Sequence, residues 1–81
     1  MIQKTEARKR LSHNVRRIRK ALGLTQVQLS DRSGMKQSTI SALEQGMVLP
    51  NPADLFNLAE ALNSSIDVLL REVETSILQK M

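Results

Sequence analysis

Along the chain, apolar and polar positions alternate with a helical period almost everywhere. Leu11, Val15, Ile18 and Leu22 recur at i, i+4, i+7 and i+11, which predicts one amphipathic helix with a single buried stripe. Gly23 stops it. A second helix is expected from Thr25, because Thr25 and Gln28 stand in the T-x-x-Q order of a capping box. Leu29 and Val27 are read as its inward residues, and Gly34 as its left-handed stop. A third helix follows over residues 37–45, with Ile40 and Leu43 facing inward and Gly46 beyond its end. The longest loop is MVLPNP, residues 47–52. Asn51 then caps a fourth helix, with Pro52 at its first position and Asp54 near its positive end. Leu55, Leu58, Ala59 and Leu62 form the apolar stripe of that helix. Ser65 caps a fifth helix, read as carrying Ile66, Leu69, Leu70, Val73 and Ile77. No segment alternates with period two for long enough to make a strand. The expected fold is all-α, five short helices around one core.

Length and composition narrow this picture. At 81 residues there is room for a single core. Phe56 is the only aromatic residue, so the core must be built from aliphatic side chains and Met. With no cysteine there is neither a disulfide framework nor a thiolate metal site, and a reducing cytoplasm is the expected location. No apolar run approaches a membrane span, and the basic N-terminus does not resemble a signal peptide.

Charge adds more. Residues 1–20 carry eight Lys and Arg against Glu6 alone, a local balance of +7, while the remainder of the chain balances at −3. That asymmetry has two readings, a solvated basic helix face or a surface for a polyanion, of which nucleic acid is the leading candidate. His13 stands alone without a second ligand, so no metal site and no cofactor are expected. Ser, His and Asp occur, but no glycine-framed nucleophile turn accompanies them, and the chain is not read as an enzyme.

The segment SGMKQSTIS, residues 33–41, gives the charge a partner. Two short helices joined through Gly34, the second with a polar outer face, form the helix-turn-helix pattern. A helix that enters the major groove needs compact hydrogen-bonding groups on its first turn. Gln37, Ser38, Ser41 and Ala42 lie opposite Ile40 and Leu43, and the first three carry such groups. Over residues 14–70 the sequence resembles the lambda-repressor-like (Cro/XRE-type) helix-turn-helix domain. The resemblance rests on R-x-x-x-G-L-T-Q from Arg19 to Gln26, Leu29, Gly34, and I-S-x-L-E-x-G from Ile40 to Gly46. It continues through Pro50, L-x-x-L-A-x-A-L from Leu55 to Leu62, and S-x-D-x-L-L from Ser65 to Leu70.

The resemblance implies roles. Gln37 matches the leading base-reading position, with Ser38, Ser41 and Ala42 beside it. Gln26 matches a glutamine that contacts phosphate and supports that first reading residue. Thr25 and Gln45 match phosphate-touching positions, and Thr39 is grouped with these backbone-positioning residues. Arg19 and Glu44 match a partly buried ion pair between helices one and three. Two departures stand out. Lys36 occupies a position where a capping Ser, Thr or Gly is common, and the loop MVLPNP lacks the family's clamping cations. Lys36, Arg16 and the N-terminal arm are therefore expected to supply the electrostatic share.

The domain organisation follows. Residues 1–10 are a basic arm or the start of helix one, residues 11–70 the DNA-binding domain, and residues 71–81 a helical extension. That extension either folds back to complete the core or, as favoured here, joins Phe56, Val68, Leu70, Val73 and Ile77 in a homodimer interface. The expected function is a small dimeric transcriptional regulator on a palindromic duplex operator, of the phage or plasmid repressor or restriction-modification controller type. The alternative is an antitoxin or bridging module whose main partner is a protein, such as a toxin or RNA polymerase.

Overall fold

The computed structural model describes residues 1–73. Five α-helices follow one another: α1 (Lys4–Ala21), α2 (Gln26–Ser33), α3 (Gln37–Glu44), α4 (Pro52–Ala61) and α5 (Ile66–Leu69). No strand occurs among the described residues. α1 packs against α3 and α5, while α2 packs against α3 and α4.

Local chemistry explains most boundaries. The Thr25 hydroxyl accepts the Gln28 N–H at 3.0 Å, and the Gln28 side-chain oxygen accepts the Thr25 N–H at 2.9 Å, a closed capping box. Asn51 accepts the Asp54 N–H at 2.8 Å and Ser65 the Val68 N–H at 3.2 Å, so α4 and α5 start at side-chain caps. Gly34 ends α2 with φ +74°, a conformation that a Cβ would strain, and donates its N–H to the Ser30 carbonyl. Asn63 takes the same left-handed geometry after α4, at φ 52°, as asparagine tolerates it better than most residues.

The core is aliphatic. Leu11, Val15, Leu29, Ile40, Leu43, Leu58, Leu62 and Leu69 are fully buried, each contributing about 1.5–3 kcal/mol of transfer free energy. Ala7, Met35, Ala59 and Ala61 complete the buried apolar set, and Ile18, Leu55 and Ile66 pack against it.

α1 begins at Lys4, so residues 4–10 are the start of helix one, the second of the two readings of the basic segment, and Ala7 extends the buried stripe one turn upstream of Leu11. Three sequence expectations need correction. Leu22 is 42% exposed, because the helix has ended and the residue no longer follows its period. Val27 is 52% exposed, since two positions before the buried Leu29 it lies on nearly the opposite side of α2. α5 stops at Leu69, so Val73 lies beyond the helix rather than on its face, and Ile77 lies outside the described residues.

Polar groups on α1 explain why so short a fifth helix holds. Asn14, buried within the apolar stripe, donates to the carbonyls of Leu69 at 2.9 Å and Arg71 at 3.0 Å. Arg10 donates to the Leu70 carbonyl at 3.3 Å and pairs with Glu6 one turn earlier at 3.0 Å. Carbonyls that α5 leaves without a partner inside the helix are thus satisfied from α1.

Candidate nucleic-acid interface

The turn between α2 and α3 is held by its own side chains. Ser30 donates its hydroxyl hydrogen to the Met35 carbonyl, and the Ser33 hydroxyl accepts the Met35 N–H at 3.3 Å. Met35 is buried beneath the turn, which fixes the point where α3 begins. Lys36 is the N-cap residue of α3 and makes no side-chain cap. Its carbonyl starts the helix by accepting the Thr39 and Ile40 N–H groups, both at 3.0 Å. A good cap contributes about 0.5–2 kcal/mol, which this helix forgoes in favour of an exposed cation.

α3 divides cleanly into two faces. Ile40 and Leu43 are fully buried and anchor it. Gln37 and Ser38 are exposed, Ser41 and Ala42 half-buried, and all four share the outer face. Gln45 is exposed at the C-cap and donates to the Ser41 hydroxyl at 3.1 Å, so these two occupy one ridge. Thr39 is half-buried, between the faces.

Glu44 joins three helices at the far end of α3. Its carboxylate, 2% exposed, takes the Arg19 Nε at 2.6 Å and Nη2 at 2.9 Å, a two-point pairing with α1. Arg19 also donates to the Leu24 carbonyl at 2.8 Å. The hydrogen bonds to Glu44 hold the Arg19 guanidinium above its ordinary range; desolvation pulls the other way and charge attraction reinforces the rise. Gln26, at the first position of α2, donates its side-chain nitrogen to the same carboxylate at 3.2 Å. A carboxylate only accepts, so this contact fixes which end of the Gln26 amide faces inward. Arg16, exposed on α1, reaches the Glu44 carbonyl at 3.4 Å. Every buried side-chain nitrogen and oxygen among the described residues has a partner.

Most of the predicted residues therefore fall in a few clusters. Lys36, Gln37 and Ser38 sit at the start of α3. Ser41, Ala42 and Gln45 continue its outer face. Thr25 and Gln26 open α2, and Arg16 and Gln26 meet α3 at Glu44. Phe56, 56% exposed on α4, and the half-buried Val68, Leu70 and Val73 lie apart from this surface in sequence. Sequence reasoning missed Asn14 and Arg10. The available signal for Asn14 was a polar residue set between Leu11, Val15 and Ile18 on the buried stripe.

A compact all-helical domain whose second and third helices form a glycine turn, the third with a polar exposed face, is a helix-turn-helix DNA-binding domain. The chain belongs to the HTH_3 helix-turn-helix family of transcriptional regulators, whose family model matches residues 15–69. It is 40% identical over 60 residues to an uncharacterised HTH-type transcriptional regulator, y4dJ, of Sinorhizobium fredii (strain NBRC 101917 / NGR234). That match covers 74% of this chain and 78% of the relative. Among solved structures it is similar to the restriction-modification controller protein C.AhdI of Aeromonas hydrophila. The TM-score there is 0.71 and the identity 28%, over 74% of this chain and 91% of the other. A hypothetical transcription factor, NHTF from Neisseria, shares the fold with a TM-score of 0.80 at 23% identity, over 100% of this chain and 92% of that one. Among the described residues no helix is long and apolar enough to cross a membrane.

Proposed function

We propose that this regulator binds a roughly palindromic duplex operator as a homodimer, with α3 in the major groove, and so represses or autoregulates transcription. The observation that carries the reading is the exposure of Gln37 and Ser38 on a helix whose opposite face is locked by Ile40 and Leu43. A glutamine amide pairs in bidentate fashion with adenine N6 and N7, and serine reaches bases or phosphates. Lys36, Thr25, Gln26, Thr39, Gln45 and Arg16 would set register on the backbone, leaving sequence to the outer face of α3. Likeness to a restriction-modification controller at 28% identity favours that class of regulator over a protein-bridging module. An interaction module has no need for Gln37 and Ser38 in reading positions. Selection of bound duplexes from a random pool tests the reading, with two inverted half-sites as the expected product. Recovery of no shared motif overturns it.

Lys36 is the cation next to the reading turn, so Lys36→Ala should weaken binding to all duplexes alike. It should also shallow the salt dependence by about one unit of slope. A slope equal to that of the unaltered protein places Lys36 off the phosphates.

Pairing of two copies brings in Phe56, together with Val68, Leu70 and Val73. A 56% exposed phenylalanine is a large apolar group left partly in water, and covering the rest of it gains about 1–2 kcal/mol. Phe56→Asp should shift the monomer–dimer balance at least tenfold toward monomer in sedimentation equilibrium. An unchanged balance moves the interface elsewhere.

A further inference from the structure

The chain leaves α5 along α1 rather than away from it. Asn14 donates to the carbonyls of Leu69 and Arg71, and Arg10 to the carbonyl of Leu70, so three successive peptide groups are held against one face of α1. Two residues on, Val73 is half-buried and stands on the rim of a groove of about 270 Å³. The other walls are Lys9, Ser12, His13 and Arg16 of α1 and Glu44 of α3. The four α1 residues follow at i, i+3, i+4 and i+7 and so share one side of the helix. By Val73 the chain has therefore crossed from the Arg10–Asn14 face of α1 to the next face round.

The chemistry of the groove selects what covers it. The Glu44 carboxylate is already paired with Arg19 and engaged by Gln26. Exposed Lys9 leaves the mouth cationic and exposed His13 adds a donor, while the stems of Lys9 and Arg16 and the Val73 side chain give aliphatic walls. Its complement is an acid followed closely by aliphatic side chains. Residues 74–81, ETSILQKM, start at the rim and open with Glu74, with Ile77 and Leu78 at i+3 and i+4. The α1 wall from Lys9 to Arg16 is about 10 Å long at 1.5 Å rise per residue. Eight residues span about 12 Å as a helix and about 26 Å extended, so either form covers it. Tethered at the rim, the segment is present at an effective concentration of about millimolar, which a second copy matches only at that protein concentration.

We infer that residues 74–81 dock in the α1 groove of their own chain, with Glu74 against Lys9 and His13 and the Ile77–Leu78 pair over the aliphatic walls. Of the two courses open to the extension this is folding back on α1. It stands apart from the duplex-binding reading and uses neither Phe56, Val68 nor Leu70, so pairing of copies through those residues is unaffected.

The chain contains no cysteine, so two introduced thiols report only on each other. In the full chain, His13→Cys is combined in turn with Thr75→Cys, Ser76→Cys and Ile77→Cys, and disulfide formation is measured in a glutathione buffer. Lys4→Cys, exposed on α1 about 140° round from Lys9, replaces His13→Cys in the control series. At least one His13 pair should close within the chain at an effective concentration about tenfold or more above its Lys4 counterpart. Glu74→Lys should lower that ratio by about 1.5- to 5-fold, as for an exposed ion pair, and Lys9→Glu added to it should restore the ratio. Melting temperatures close to that of the unaltered protein check that each variant folds. A ratio near one at all three positions overturns the docking. Bridges that double the mass, in place of closed single chains, overturn it by assigning the groove to the tail of a second copy. A ratio that Glu74→Lys leaves unchanged overturns the charge pairing that selects this occupant.

Discussion

Glu44→Ala is expected to destabilise the domain by about 3–5 kcal/mol, the range for breaking one partner of a buried ion pair. Its carboxylate is 2% exposed and receives both Arg19 nitrogens and the Gln26 amide. Without it Arg19, only 11% exposed, keeps the Leu24 carbonyl as a partner but loses its counter-charge. The unpaired guanidinium cannot escape by deprotonating, since arginine stays charged throughout the accessible pH range. A domain of this size has a total stability of about 4–12 kcal/mol, so the variant would be largely unfolded or close to it. Urea unfolding measures the loss as a lower midpoint at constant slope. The double variant Arg19→Met/Glu44→Leu supplies the control. Removing both charges leaves no buried charge unpaired, only the Gln26 amide and the Leu24 carbonyl to find other partners, so it should recover most of the lost stability. A cost below about 1 kcal/mol for Glu44→Ala would mean that the pair behaves like an exposed bridge.

That pair also shows where the sequence is informative and where it is not. Ends of helices are written locally: Thr25 with Gln28, Asn51 with Asp54, and Ser65 with Val68 each close a cap within four residues. The apolar period locates Leu11, Val15, Leu29, Ile40, Leu43, Leu58 and Leu69 in the core for the same reason. Asn14 is different. Its partners on Leu69 and Arg71 lie 55 and 57 residues away, and no local pattern announces such a pairing. Arg19 and Glu44, 25 residues apart, were legible only through the resemblance to a known domain. The early end of α5 was equally hidden. Val73 fits the helical period, but Leu70 and Arg71 give their carbonyls to α1 side chains and the chain leaves the helix there. Period alone cannot decide between continuing a helix and capping it from a neighbour. At the interface, the sequence gives the residue types of the reading face, while the Gln26 orientation appears only once Glu44 is seen beside it.

Gln37→Ala should cost about 1–3 kcal/mol on the operator, roughly a 5- to 150-fold loss of affinity, and relax selection at one base position. The size follows from what is removed. Gln37 is exposed at the first position of α3, and its amide offers a donor and an acceptor side by side. Its helix cannot tilt to compensate, because Ile40 and Leu43 are fully buried and Glu44 ties the far end to α1 and α2. A base edge that loses the amide is therefore left with an unmatched donor and acceptor, rather than being met by a shifted neighbour. Folding should be nearly untouched, within about 0.5 kcal/mol, as is usual for a surface substitution away from caps and core. Binding to random duplexes should be equally untouched, since backbone contacts carry that affinity. The informative quantity is thus the ratio of operator to random-duplex affinity at fixed salt. A fall in that ratio assigns Gln37 to base reading. An equal loss on both duplexes assigns it to the backbone and moves the reading head to Ser38, Ser41 and Ala42, which share its face of the helix.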